Sequence, residues 1–187
     1  MSGETIPRQM VLAALFAALM AAGAFVAIPI GPVPIVLQNL FVMLAALLLG
    51  PRWGLASVGV YLLAGAVGLP VFAGGSGGIA RLAGPTGGYL AGYLPAVAVM
   101  GAVAARGRGR AALDVAAMLA GTAVLYACGV GWLQTVTGMP LGKAITLGML
   151  PFLPGDALKM AAALWIARRA RALLGTDRGT DGVDDAH

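Results

Sequence analysis

The stretch MVLAALFAALMAAGAFVAIPI, residues 10–30, decides the class of this protein. It carries no charge, and it is as long as the ~20 apolar residues a helix needs to cross a hydrocarbon core. Arg8 precedes it, so in isolation it has the look of a secretory leader. Further apolar runs follow throughout the chain, and we therefore read it as a retained first span. Working outward, the same reasoning gives spans over residues 37–49, 54–72, 87–104, 111–136 and 156–173, the second of them short. Residues 175–187 are polar and rich in Asp and Gly, and are expected to be disordered.

Composition agrees with this reading. The 187 residues are 60% hydrophobic and 10% charged, against about 25% charged in soluble domains. So little charge cannot build a water-soluble surface. The length suits one domain, assigned to residues 1–174. The expected fold is an all-α membrane protein of six transmembrane helices. Cys128 is the sole cysteine. It lies in an apolar run and reads as a buried, inert thiol.

The formal charge of +5 does not point to nucleic acid, because the charges are distributed by side of the membrane. With the N-terminus in the cytoplasm, the inner segments hold Arg8, Arg52, Arg106, Arg108, Arg110, Arg168, Arg169, Arg171 and Arg178. The outer segments hold only Arg81, Lys143 and Lys159, a ratio of nine to three. That is a positive-inside bias, and it places both termini inside. Trp53 and Trp132 fall at expected interfaces. The localisation that follows is a multi-pass protein of a cytoplasmic membrane. Its Ala-, Gly- and Arg-rich usage is suggestive of a bacterium of high GC content.

The exceptions to that bias mark where to look for a site, since ionisable groups at membrane depth are expensive. Three segments converge on the outer face. Residues 30–38, Ile-Gly-Pro-Val-Pro-Ile-Val-Leu-Gln, hold prolines that break a helix and end on the polar Gln38. Residues 72–89 are glycine-rich and too apolar for an ordinary linker. They read either as a flexible external loop or as a cap over a pocket, in which case Arg81 is a candidate anion clamp. They are not a phosphate loop, because no Gly-Lys-Ser/Thr follows the glycines. Residues 151–159, Pro-Phe-Leu-Pro-Gly-Asp-Ala-Leu-Lys, place Asp156 as a helix N-cap with Lys159 three residues on. Capping accounts for Asp156 but poorly for Lys159, because a cation in the first turn opposes the helix dipole. Either the two form a purely local pair, or they are the polar end of a site.

Together, Gly31-Pro32-Val33-Pro34-Ile35, Leu48-Leu49-Gly50-Pro51-Arg52-Trp53-Gly54, Gly68-Leu69-Pro70-Val71-Phe72-Ala73-Gly74-Gly75, Gly84-Pro85-Thr86-Gly87-Gly88-Tyr89 and Pro154-Gly155-Asp156 with Lys159 resemble the BioY family. These are the biotin-binding S-components of energy-coupling factor (ECF) transporters. The resemblance runs from about residue 8 to 172. It implies the S-component fold, a biotin ligand, and a site opening outward beneath the loops between helices one and two and between helices three and four. It also implies a transmembrane coupling subunit and two ATP-binding subunits as partners. This chain itself carries no ATP-binding motif, and no cofactor or metal is expected.

Biotin offers a carboxylate, an apolar thioether ring, and a ureido group with two N–H donors and one acceptor. Asp156 and Lys159 suit the ureido edge. Arg81 suits the carboxylate as a bidentate partner, Tyr89 and Phe72 the ring system, and Gln38 and Thr86 additional hydrogen bonds. If Arg81 faces solvent instead, Lys159 takes the carboxylate. In the first helix, Ala13, Ala17 and Ala21 form one small-residue stripe and Ala14, Ala18 and Ala22 another. Such stripes let helices approach closely, either within this protein or against the coupling subunit, and the resemblance favours docking.

Other classes fit less well. The sole histidine is His187, at the extreme tail, and Cys128 has no base near it in sequence, so hydrolase and haem chemistry lack their parts. A small-solute channel has no need of an Asp–Lys pair under a cap. An S-component for another vitamin is the nearest alternative.

Overall fold

The structure, a computed structural model, describes residues 5–29, 31–107 and 109–173. The tail expected to be disordered, Ile30 and Arg108 lie outside the described residues. Helix α1 spans Thr5–Phe25. A two-residue antiparallel ladder follows, pairing β1 (Ala27–Ile28) with β2 (Ile35–Val36). Helix α2 spans Gln38–Ala66, α3 is a single turn and a half at Ile79–Ala83, α4 spans Gly87–Gly107, and α5 spans Ala111–Thr137. Helix α6 is short, Leu141–Gly148, and leads through a 3-10 turn at Leu150–Phe152 into α7, Leu153–Leu173. The described residues are thus mainly helical, with one small ladder. Among them, five stretches are long and apolar enough to cross a membrane: Ile6–Phe25, Gln38–Ala66, Gly87–Gly107, Ala111–Thr137 and Leu141–Leu173.

Helix α2 is two segments that meet at Gly50, whose backbone is non-helical (φ 74°, ψ −172°). A positive φ is open to glycine at little cost, and Pro51 starts the next segment without needing a hydrogen-bonded N–H. The segments fold back on one another. The Tyr61 hydroxyl donates to Gln38 Oε1 at 3.1 Å, although 23 residues of straight helix would separate them by about 35 Å. The backbone at Gly50 and Pro51 nests on Gly101 of α4, where a Cβ would collide with Pro51. Arg52 stacks over Trp53 beside the turn, 5.9 Å from the ring centroid.

The core lies along the packing of α4 on α5 and α2, and of α1 on α2. Close approach depends on small residues: a Cβ at Gly88 would strike Trp132, and one at Gly121 would strike Met100. At the end of the bundle away from Gln38, Arg171 of α7 grips the fully buried Asp114 of α5, with Nη1 at 2.5 Å and Nη2 at 3.2 Å. Arg171 Nη2 also donates to the Leu47 carbonyl at 2.8 Å. Leu47 lies in the last turn before Gly50, where carbonyls lose their intrahelical partners. One guanidinium therefore ties three helical segments together.

Several sequence boundaries shift. The run expected over 54–72 is helical only from Pro51 to Ala66, because Gly68 takes φ +104° and the chain turns. The first helix begins earlier and ends at Phe25, since the chain enters the small ladder at Ala27. The last helix begins at Leu153 rather than Asp156, so Asp156 stands inside the first turn and is not its N-cap. Helices α3 and α6 are additions to the expected set.

Candidate functional site

At the end of the bundle where α2 and α7 begin, the helices and loops enclose a cavity of about 360 Å³. Ala27 and Val36 of the ladder, with Gly31, Pro32, Val33 and Pro34 from the loop between its strands, form one wall. The 72–76 loop and Arg81 of α3 form another, and α4 and α5 contribute Tyr89, Tyr93, Leu125 and Tyr126. Six of the seven ligand-contact residues expected from sequence line it: Gln38, Phe72, Arg81, Thr86, Tyr89 and Lys159. These come from the three separate stretches 30–38, 72–89 and 151–159, and the fold brings them together.

The seventh, Asp156, is placed differently. It is buried and does not line the cavity. Its Oδ1 accepts from Lys159 Nζ at 3.1 Å, and Asn39 Nδ2 reaches the same oxygen at 3.5 Å. Its Oδ2 accepts the Tyr126 hydroxyl. The Tyr93 hydroxyl in turn donates to Asn39 Oδ1. Asp156 is therefore the hub of a network that draws on α2, α4, α5 and α7. A buried carboxylate is tolerable only when paired and hydrogen-bonded in this way. Asp156 thus sits behind Lys159 rather than on the cavity surface where it was expected. Lys159 spends one hydrogen on Asp156, which leaves its ammonium donors for the cavity. Because the helix begins at Leu153, Lys159 lies in its second turn, past the first turn where the dipole opposes a cation.

The other groups are held just as specifically. Gln38 is buried and accepts from Tyr61, while its Nε2 has no partner among the described residues. Phe72 sits edge-on to Tyr61, with centroids 5.6 Å apart, and rests on Gly65, where a Cβ would collide with its ring. Tyr89 slots between Gly129 and Gly148, both of which would collide with it if they carried a Cβ. Its hydroxyl donates to the Gly148 carbonyl at 2.7 Å. That carbonyl ends α6, so the unexpected short helix fixes a cavity wall. Arg81 is exposed and has no ion pair with an acid among the described residues. It stands as a free cation at the rim.

Asn39, Tyr93 and Tyr126 also line the cavity, beyond the residues singled out from sequence. Their signal is faint: scattered polar groups within largely apolar helices, which are costly in a membrane unless they have partners. No group of three or more His, Cys, Asp and Glu that would hold a metal ion occurs among the described residues.

The two alanine stripes of α1 part company. Ala13 and Ala17 are buried and Ala21 half-buried, facing the bundle, whereas Ala14, Ala18 and Ala22 are exposed.

Comparison with known proteins shows the family. The BioY family model matches residues 1–176. The chain is 44% identical over 162 residues to a probable biotin transporter BioY of Pyrococcus horikoshii, covering 87% of this chain and 95% of that one. It is 42% identical over 166 residues to the biotin transporter BioY of Thermotoga maritima, covering 89% and 97%. Among solved structures, the S-component for biotin from an ECF-type ABC transporter superposes with a TM-score of 0.86 at 33% identity, covering 92% of this chain and 95% of that chain. This multi-pass membrane protein belongs to the BioY family.

Proposed function

We propose that this protein captures biotin and serves as the substrate-specific subunit of an ECF-type transporter; it is not itself an enzyme. The observation that carries the reading is the cavity: apolar walls, a few fixed polar groups, and cations at both its rim and its floor. That is the usual form of a small-ligand site, and its volume of about 360 Å³ is within the usual range. In this arrangement Arg81, exposed yet still lining the cavity, holds the carboxylate from the rim, and that lining keeps this role with it rather than with Lys159. Phe72 and Tyr89 pack on the ring system. Lys159, held by Asp156, donates to the ureido oxygen, and the Asn39, Tyr93 and Tyr126 groups lie beside the ureido edge. Gln38 Nε2 and Thr86 add hydrogen bonds. Relatives named as biotin transporters support the ligand assignment over another vitamin.

The chain crosses the membrane six times in this reading, with both termini cytoplasmic. The fold-back at Gly50 divides α2 into two crossings, each shorter than the ~30 Å core, and Arg52 and Trp53 anchor the turn at the interface. The cavity then opens to the outside. The exposed stripe Ala14, Ala18 and Ala22 is the docking surface for the coupling subunit, and two ATP-binding subunits supply the energy. Reconstitution tests the whole reading. Proteoliposomes holding this chain, a coupling subunit and the ATPases should accumulate labelled biotin with ATP but not without it. ATP-independent flux through this chain alone would favour a channel.

A further inference from the structure

Among the described residues from Gln38 to Leu173 only Asp114 and Asp156 are acidic, and both are in ion pairs. The remaining cations have no counter-charge there. Two of them, Arg168 and Arg169, are exposed and share a second groove. It is lined by Gly109 of the α4–α5 connection and by Ala161, Leu164, Trp165 and Arg171 of α7. Arg168 lies about 14 Å of helix rise from Lys159, toward the end of α7 opposite the cavity.

The groove has a graded chemistry. Leu158, Ala161 and Trp165 recur at helical spacing on one exposed face, with Leu158 and Trp165 74% and 64% accessible. That face runs directly into the guanidiniums. Arg169 lies 5.9 Å from the Trp165 ring centroid, so the aromatic and the cation share one position along the helix. Arg171 is committed to Asp114 and forms a fixed wall. Gly109 takes φ +87°, a conformation that side chains rarely adopt, and passes close to the Arg171 guanidinium.

We propose that this groove binds one anionic phospholipid, its phosphate held by Arg168 and Arg169 and an acyl chain lying along Trp165, Ala161 and Leu158. An apolar stripe ending in a tryptophan and two arginines without an acid partner among the described residues matches a lipid at the membrane interface in both charge and polarity. A soluble anion would meet the arginines but leave the stripe unused. The proposal rests on the chain's placement in a membrane and not on the ligand of the cavity, so the two stand or fall separately.

The test uses the full-length chain in neutral detergent, titrated with phosphatidylglycerol or phosphatidylcholine and followed by native mass spectrometry. Phosphatidylglycerol should bind at least about tenfold more tightly than phosphatidylcholine. Arg168→Gln with Arg169→Gln should weaken it about thirty-fold, as expected for two guanidiniums at a membrane surface, at an unchanged thermal midpoint. Arg168→Lys with Arg169→Lys should keep most of the affinity, and Trp165→Ala should weaken both lipids. Four results would overturn the proposal. The two lipids bind equally. The Arg106→Gln, Arg110→Gln pair causes the same loss, which means diffuse charge. Millimolar inorganic phosphate displaces the lipid, which means a free-anion site. Or lipid binds only after removal of residues 174–187, which means that the acidic tail fills the groove.

Discussion

Tyr126 donates its hydroxyl to Asp156, joining the middle of α5 to the first turn of α7 across 30 residues of sequence. With Lys159 and Asn39 on the other oxygen, both oxygens of the carboxylate have partners within the protein. Asp156 therefore sets the position of Lys159, and Lys159 faces the cavity.

This arrangement predicts graded losses. Tyr126→Phe removes one hydrogen bond to a buried charge and should weaken biotin binding by about 1.5 kcal/mol. Asp156→Asn should weaken it by at least ~1.5 kcal/mol, because it also strips Lys159 of its counter-charge. Isothermal titration of each variant checks both. An unchanged affinity in Asp156→Asn would remove the network from the account.

Arg81 and Lys159 are two cations lining one cavity, the first exposed and the second buried, and they can be told apart chemically. Arg81→Gln should weaken biotin by about 2 kcal/mol and leave biotin methyl ester almost unaffected, because the ester has no carboxylate to lose. Competition binding with both ligands reads this directly. If Lys159 holds the carboxylate, Lys159→Gln shows that discrimination and Arg81→Gln does not.

The Tyr89 slot is a packing prediction. Gly129→Ala places a methyl where the Tyr89 ring lies. Overpacking of this kind typically costs about 1–3 kcal/mol, and here it also displaces a cavity wall. The thermal midpoint in detergent and the biotin affinity should fall together.

The α1 stripes give a paired test. Leucine at Ala14, Ala18 and Ala22 should leave biotin binding intact while abolishing co-purification with the coupling subunit. Leucine at the buried Ala13 and Ala17 should lower stability instead. Normal co-purification of the first variant would count against the docking face.

Arg171 and Asp114 give a stability test away from the cavity. Arg171→Gln leaves Asp114 as an unpaired buried charge and should cost about 3 kcal/mol, read by unfolding in detergent, with biotin affinity little changed in the protein that remains folded.

Much of this is legible in the sequence because membrane crossing imposes a strong constraint on length and polarity. The long apolar runs, the Gly50–Pro51 break and the Asp156–Lys159 spacing each have a local physical signature. Asn39, Tyr93 and Tyr126 do not. Each is one polar group on a different helix, and only the packing of α2, α4, α5 and α7 makes them a cluster. Helix α6 escapes notice because eight residues between two longer runs read as a connection. The alanine stripes are visible as periodicity, but which stripe faces the bundle depends on how α1 is rotated against α2. The role of Asp156 shifts for the same reason: spacing shows that it neighbours Lys159, but not that Tyr126 and Asn39 already occupy it.

The central claim is that the cavity is a biotin site organised by Lys159, and equilibrium binding to the purified protein tests it most directly. Biotin should bind saturably, without competition by thiamine or riboflavin, and with a marked loss of affinity in Lys159→Gln. A folded protein that fails to bind biotin, or that binds it equally well without the Lys159 ammonium, would contradict it.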